Sequence, residues 1–467
     1  MNDSQPLRLS VLAVVAVALF TALFSRLWFL QVMASPEYAE QAETNRTRVI
    51  VVEGPRGRIL DRDGRVLADN RESLVVTIDE AALNRSNRRD EVLAELAAEL
   101  NRAGTPITVA DIERRIERWR GDPFRPIVVA EDVNPDLWVT IGERTAVLPG
   151  VGVEWQYVRE YPYGELAAHV LGYVGEINET EYRQVRDSPK PYRPGDTIGK
   201  AGVEQMFEEV LRGSPGRVVF EVDSVGRVVS VVERVEPEPG ADLRLSIDID
   251  VQGLVERSLQ DEMRKARSRG DYSNDRIVSA PAGSAVLIDP RNGEVLAMAS
   301  YPTFDPNELT AGISAARWTE LNAKETYRPL LNRAIREPYA PGSTFKLISG
   351  YAIAASGLRS PGFAIYDEGV HTLQSCDGRC TFYNANRQAH GMVDLPLALT
   401  VSSNVYFYSA GEQFWNRRNV YGERPIQEVA EMFGLGQPTG IALPLDHGGI
   451  LTDPQFKRER HEANPTA

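Results

Sequence analysis

The chain has 467 residues, 42% apolar and 25% charged, a balance that excludes a disordered polymer and is too long for one ordinary domain. Its net charge of −14 and the lack of any concentrated Lys/Arg run exclude a nucleic-acid partner. Residues 9–30, "LSVLAVVAVALFTALFSRLWFL", carry one charge, Arg26, and are long enough to cross a bilayer as a helix. Trp28 suits the interface, and Arg8 with the amino terminus marks the short side as cytoplasmic. The alternative is a cleaved signal peptide ending near "QVMAS", but the apolar stretch is long for one and Arg26 interrupts the approach to that site. The expectation is a single-pass inner-membrane protein with its bulk outside.

In "GPRGRILDRDGRVLADN", residues 54–70, Ile59-Leu60 and Val66-Leu67 flank Asp63-Gly64, which predicts a hairpin. "DEVLAELAAELNRAG" predicts a helix stopped at Gly104, and "TVADIERRIERW" a second one with Thr108 and Asp111 as a capping box and Ile112, Ile116 and Trp119 on one face. Residues 150–236 read as strands and loops, and "EPEPG", 236–240, has linker composition and marks a domain boundary. Beyond it lie a short strand and an amphipathic helix in "LRLSIDIDVQGLVERSLQDEMRKA". Next comes a hairpin in "GSAVLIDPRNGEVLAMAS" turning at Asn292-Gly293, whose long apolar arms predict burial on both faces.

Two short motifs follow. In "YAPGSTFKLIS", Pro341-Gly342 forces a turn that puts Ser343 in the first turn of a helix, where free N–H groups favour developing negative charge. Lys346 lies one turn on, so it is expected beneath the Ser343 hydroxyl, in a helix apolar nearly all round and therefore buried. Burial would lower the lysine's pKa and free its amine to accept the serine proton. The alternative is a helix cap beside a surface lysine. However, lysine occurs only at positions 190, 200, 265, 324, 346 and 457, and no other has a serine at that offset. In "LTVSSNVYFY", Asp394 is placed to cap "LPLALT", and Ser402 and Asn404 fall at a helix junction, able to relay a proton and hold an amide; Ser-Ser-Asn is also common turn chemistry.

Taken in order, S-x-x-K and S-x-N resemble the penicillin-recognising serine transpeptidases. "RGRILDRDGRVLA", "YPYGELAAHVLGYVG", "GKAGVEQMFEEVLRG", "DPRNGEVLAMASYPTFDPN" and "LLNRAIREPYAPGSTFK" are similar to successive blocks of the class B penicillin-binding proteins, most of all the elongation-type group, penicillin-binding protein 2. The resemblance implies an α+β multidomain chain: tail 1–8, transmembrane anchor 9–30, and an elongated, mostly-β pedestal or dimerisation-type domain 31–240 with a helical insertion at about 82–150. It also implies an incomplete α/β transpeptidase domain, 241–467, with a helical subdomain and a partial antiparallel sheet. Ser343 would be the nucleophile, with its N–H in an oxyanion hole, and Lys346 its base. Ser402 would be the proton relay and Asn404 the holder of the substrate amide. The implied reaction joins peptidoglycan stem peptides ending in D-Ala-D-Ala through an acyl-enzyme during cell-wall elongation, with β-lactams acylating the same serine and no cofactor. Implied partners are the membrane, a SEDS-type glycosyltransferase and elongation-complex proteins.

One departure is that neither K-T-G nor K-S-G occurs, and "GLGQPTG" reads as a glycine-rich loop rather than a phosphate cradle. The expectation is a C-terminally truncated chain with little or no transpeptidase activity. Cys376 and Cys380 leave three readings: a disulfide, a zinc site with Asp367 and His390, or free thiols. His169, inside a family block, is expected to pack or hydrogen-bond in the pedestal, whereas His371, His447 and His461 carry no motif. The competing functions are a β-lactam sensor or β-lactamase, which leaves the N-terminal module unexplained, and a non-catalytic anchored scaffold that activates the glycosyltransferase.

Overall fold

Asp63-Gly64 makes the predicted turn, with Gly64 at φ 87° and the buried Asp61 carboxylate accepting the N–H groups of Asp63 and Arg65, each at 2.8 Å. The computed structural model describes residues 5–29, 47–118, 126–222 except prolines 189, 191 and 194, 228–271 except 269, 276–373 except 311, and 380–463. The hairpin's second arm, Val66–Ile78, is the spine of a five-stranded sheet. It pairs antiparallel with Ile59–Leu60, with Val151–Glu160 from Asp69↔Glu160 to Ile78↔Val151, and with Ile127–Ala130. A separate antiparallel sheet joins Thr47–Val52, Gly216–Val222 and Val228–Val235.

The two predicted helices form as Arg89–Arg102, with Gly104 left-handed just beyond it, and Val109–Arg118. The second starts in a reciprocal cap: Thr108 N–H donates to Asp111 Oδ2 at 3.0 Å and Asp111 N–H to Thr108 Oγ1 at 3.2 Å. Leu93, Leu96, Leu100, Ile112 and Ile116 pack with Val76, Ile78 and Ile127 into a core of their own, while Trp119 lies outside the described residues.

A second core ignores the linker at 236–240. Ile59, Leu67, Tyr161, Leu171, Val203 and Leu211 pack with Ile247, Ile249, Met298 and Leu443. The chain after the linker returns to the first sheet, where Leu243–Arg244 pairs parallel with Ile59–Leu60. Gly240 permits this return, because a Cβ there would meet Leu211 O at 1.9 Å. "EPEPG" is thus a boundary in composition but not in packing.

His169 crosses the same seam. Its Nε2 donates to Pro329 O at 2.7 Å, its ring meets Phe304 edge-on at 5.2 Å, and its carbonyl accepts from Asn332 Nδ2 at 3.1 Å. Burial pushes the imidazole from 6.5 down to about 4, against the Pro329 hydrogen bond, which favours the charged form. The folded value lies below the unfolded one, so this contribution is complete above pH 6.5 and declines as pH falls toward 4. The expected loss is roughly 1.4 kcal/mol per pH unit across that window. Urea unfolding of wild type and His169→Gln at pH 7 and pH 5 checks this: the wild-type midpoint falls more, and equal shifts would refute it.

The Asn292-Gly293 hairpin forms, with Gly283–Ile288 against Val295–Tyr301 and Gly293 at φ 79°. Its expected burial on both faces is wrong for the outer arm. Met298 and Ala299 are buried beneath the Ile249–Arg267 helix, but Val286, Leu287 and Ile288 are 43%, 43% and 51% exposed. Among the described residues the two strands pair only with each other, and the Ile249–Arg267 helix packs chiefly on Val295–Tyr301, which leaves the end of Gly283–Ile288 exposed. The helix Gln5–Trp28 covers the expected membrane span 9–30 up to residue 28, and residue 30 lies outside the described residues. Among the described residues no helix is long and apolar enough to cross a membrane, and the side chains of 5–13 lie outside them.

Candidate active site

Gly342, at φ 57°, turns the chain into one 3-10 turn, Gly342–Phe345, which runs into the α-helix Lys346–Ala355. Ser343 sits exposed at that entry. The predicted all-round burial of this helix is not observed: Gly350, Ala352 and Ile353 are buried, whereas Leu347 and Tyr351 are 68% and 49% exposed. One face packs on a third core of Val393, Leu395, Ala398, Tyr406, Ala410 and Phe414, and on another side Tyr351 meets Phe433 edge-on at 5.6 Å.

Asp394 caps the Leu395–Thr400 helix as predicted, accepting Leu397 N–H at 3.0 Å. After it, Ser402 is left-handed at φ 56°, and Ser403 caps the next helix, Asn404–Asn416. An L-residue in this region is costly unless its surroundings hold it there. Here the conformation brings both the carbonyl and the hydroxyl of Ser402 to Lys346 Nζ, at 2.7 and 3.0 Å, and Asn404 Oδ1 joins them at 2.7 Å. Ser402 Oγ also lies 3.1 Å from Ser343 Oγ. The connection is therefore Ser343–Ser402–Lys346 and not the direct Lys346–Ser343 contact expected from the i, i+3 spacing. Lys346 Nζ further lies 5.6 Å from the Phe407 ring centroid, and burial lowers its pKa below the ordinary lysine range. The structure thus brings all four predicted residues, Ser343, Lys346, Ser402 and Asn404, into one hydrogen-bonded group.

Two further residues stand behind them. Asp367, fully buried, accepts from Ser403 Oγ at 2.6 Å, from Gly369 N–H at 2.8 Å and from Asn384 Nδ2 at 2.8 and 2.9 Å. Asn384 had no sequence signal beyond being polar after a short strand. Asp367 entered the sequence reading as a zinc candidate, but its carboxylate is engaged by these donors. Cys380 is disulfide-bonded and so offers neither a free thiol nor a thiolate ligand, and the only other cysteine, Cys376, lies outside the described residues. His390 contributes its backbone N–H to Asp367 O at 3.1 Å. Among the described residues no group of three or more His, Cys, Asp or Glu is placed to hold a metal. In the glycine-rich loop, Asp446 Oδ2 accepts from Thr439 Oγ1 and Gly440 N–H, each at 3.0 Å, so a carboxylate already occupies the donors a phosphate would need.

Residues 51–245 match the penicillin-binding protein dimerisation domain, and residues 283–463 match the penicillin-binding protein transpeptidase domain. The chain is 30% identical over 438 residues to the peptidoglycan D,D-transpeptidase MrdA of Acinetobacter baumannii, covering 93% of this chain and 59% of that protein. Against MrdA of Escherichia coli K12 it is 28% identical over 457 residues, 97% of this chain and 66% of the relative. The chain thus spans about three fifths to two thirds of the length of these relatives. Among solved structures, a complex of penicillin-binding protein PBP2 with MreC from Helicobacter pylori shares the fold at TM-score 0.68 and 23% identity, covering 89% of this chain and 71% of that one. A peptidoglycan synthase complex described as coordinating polymerization and crosslinking matches at TM-score 0.62 and 28% identity, covering 97% of this chain and 72% of that one. With both domain matches in sequence order and this constellation of Ser343, Lys346, Ser402 and Asn404, the chain belongs to the class B penicillin-binding proteins.

Proposed function

We propose that Ser343 is the acyl-accepting nucleophile of a peptidoglycan D,D-transpeptidase and the residue acylated by β-lactams. The carrying observation is the hydroxyl of Ser402 standing between Ser343 and Lys346, 3.1 Å from one and 3.0 Å from the other. Ser402 O and Asn404 Oδ1 only accept hydrogen bonds, whereas Ser402 Oγ can both accept and donate. When Lys346 is neutral, its two N–H groups stay on those two acceptors and its lone pair faces the Ser402 hydroxyl. Ser343 then donates to Ser402 and Ser402 to Lys346.

As Ser343 Oγ bonds to the penultimate D-alanine carbonyl of a stem peptide, its proton passes through Ser402 to Lys346. The carbonyl oxygen takes negative charge at the Ser343 N–H, at the entry of the 3-10 turn. Collapse breaks the C–N bond, and the proton returns through Ser402 to the departing D-alanine amine, leaving an ester on Ser343. The amine of a second stem then attacks the ester, completes the cross-link and restores the serine.

The test is intact-mass and peptide mapping after reaction with a fluorescent penicillin. Adduct on the Ser343 peptide, absent in Ser343→Ala, is the expected result. Equal labelling of the alanine variant would refute the assignment.

We further propose that the helix Gln5–Trp28 anchors the protein in the inner membrane with the domains on the extracytoplasmic side. Val14, Phe20, Leu23 and Phe24 are each at least 67% exposed, and apolar exposure of this kind is stable when lipid covers it. The N-terminal domain would then be the docking surface for membrane and elongation partners, including a SEDS-type glycosyltransferase.

A further inference from the structure

We propose that Asp367 and Asn384 are positioning residues for acyl transfer: a buried carboxylate–amide latch that holds Ser402 in its left-handed conformation and Asn404 on Lys346. The inference rests on the acyl-transfer reading above.

The helix Asn404–Asn416 begins two residues after Ser402, and its first N–H groups have no partner within the helix. Asn384 Oδ1 accepts two of them, Asn404 N–H at 2.7 Å and Val405 N–H at 3.1 Å, and Ser403 Oγ accepts the third, Tyr406 N–H, at 3.1 Å. Both capping side chains are in turn held by Asp367, which accepts Ser403 Oγ at 2.6 Å and Asn384 Nδ2 at 2.8 and 2.9 Å. Asp367, Asn384 and Ser403 are 0%, 4% and 0% exposed, so water cannot substitute for a lost partner.

The consequence is geometric. The backbone of 403–406 is tied to Asp367 by two routes, and the residues on either side of Ser403 point the other way. Ser402 presents O and Oγ to Lys346, while Asn404 gives Oδ1 to Lys346 and Nδ2 to Tyr383 O at 2.9 Å. A helix cap alone would need one acceptor. Here an amide and a hydroxyl are both oriented by one carboxylate, which fixes the rotation of the turn as well as its presence.

An exchange of the two groups tests this. Asn384→Asp retains an acceptor for Asn404 and Val405 but faces Asp367 with a second carboxylate, whereas the double variant Asp367→Asn/Asn384→Asp restores one carboxylate and one amide. The readouts are the second-order rate of acylation by a fluorescent penicillin and the 13Cε signal of Lys346. The chain has lysines only at 190, 200, 265, 324, 346 and 457, and Lys346→Arg assigns the signal. Asn384→Asp is expected to slow acylation roughly 10- to 100-fold and move the Lys346 signal toward the exposed lysines, with both largely restored in the double variant.

An Asn384→Asp protein with the wild-type rate and an unmoved Lys346 signal would overturn the latch, as would a rate loss with that signal unmoved. If Asn384→Asp does not fold, Ser403→Ala and Ser403→Thr carry the test: alanine shifts the Lys346 signal and threonine, which keeps the hydroxyl, does not. A shift in both or in neither overturns it. Should wild type show no acylation of Ser343, the proposed reaction fails, while the Lys346 signal still decides the latch.

Discussion

Lys346→Met is expected to slow acylation of Ser343 by a fluorescent penicillin by roughly 10³-fold, the range for removing a positioned general base. Lys346→Arg is expected to fare no better, since a guanidinium stays protonated and cannot accept from Ser402. The wild-type rate should rise with pH, because the neutral amine is the competent form. Burial disfavours the ammonium, which places the midpoint of that rise below the ordinary lysine range. Stopped-flow acylation from pH 6 upward measures both. A methionine variant that keeps the wild-type rate and pH profile would remove Lys346 from the mechanism. Ser402→Ala separates relay from base: it breaks the bridge between Ser343 and Lys346 while Lys346 keeps its bond to Asn404 Oδ1. Its rate is expected to fall while the pH dependence keeps its direction.

Glu204→Gln is expected to cost about 3–5 kcal/mol of stability, the range for removing one partner of a buried ion pair. Its carboxylate is fully buried, 2.5 Å from Arg56 Nε and 2.7 Å from Arg159 Nε. Arg56 also reaches Glu208 at 2.6 Å, and Glu208 accepts from Tyr192 at 2.6 Å and from Gly199 N–H at 2.8 Å. Neutralising Glu204 leaves two guanidiniums facing one remaining charge in a site closed to water. Among the described residues Arg159 Nη1 and Nη2 have no protein hydrogen-bond partner, so Nε to Glu204 is the contact that the substitution weakens. The cluster ties the segment before the first hairpin to the "GVEQM" helix, and its failure should open the second core. A melting midpoint lowered by roughly 10 °C is the expected reading by thermal unfolding. A variant that melts like wild type would show that the pair contributes nothing net.

The local elements were legible because each rests on adjacent residues. Asp63-Gly64 and Asn292-Gly293 supply the positive φ that their hairpins use, Thr108 and Asp111 cap each other, and Gly104 stands where its helix stops. The four site residues were legible because serine, lysine and asparagine at S-x-x-K and S-x-N spacing carry a chemistry, and lysine is scarce enough for Lys346 to stand out. Burial was read less well. Apolar residues all round the Lys346–Ala355 helix and along Gly283–Ile288 pointed to enclosure, yet composition cannot say how many neighbours arrive, and both elements keep an exposed face. For Asp367 the sequence left a zinc site as one open reading, because which donors surround a carboxylate is decided by residues distant in the chain. Asn384, 20 residues from Asn404, had nothing to identify it.

The sequence by itself determined the turns, the caps, the succession of the two domain types and which four polar residues, Ser343, Lys346, Ser402 and Asn404, come together. These follow from backbone preference and side-chain chemistry over a few neighbouring residues. Only the tertiary structure decided the path between those residues. Ser402 stands between Ser343 and Lys346 because its backbone is left-handed, and the turn it occupies is tied through Ser403 and Asn384 to a carboxylate at position 367. The physical reason is that a hydrogen-bonded relay depends on atoms placed to within a few tenths of an ångström by groups distant in the chain. No pattern of neighbouring residues specifies that placement.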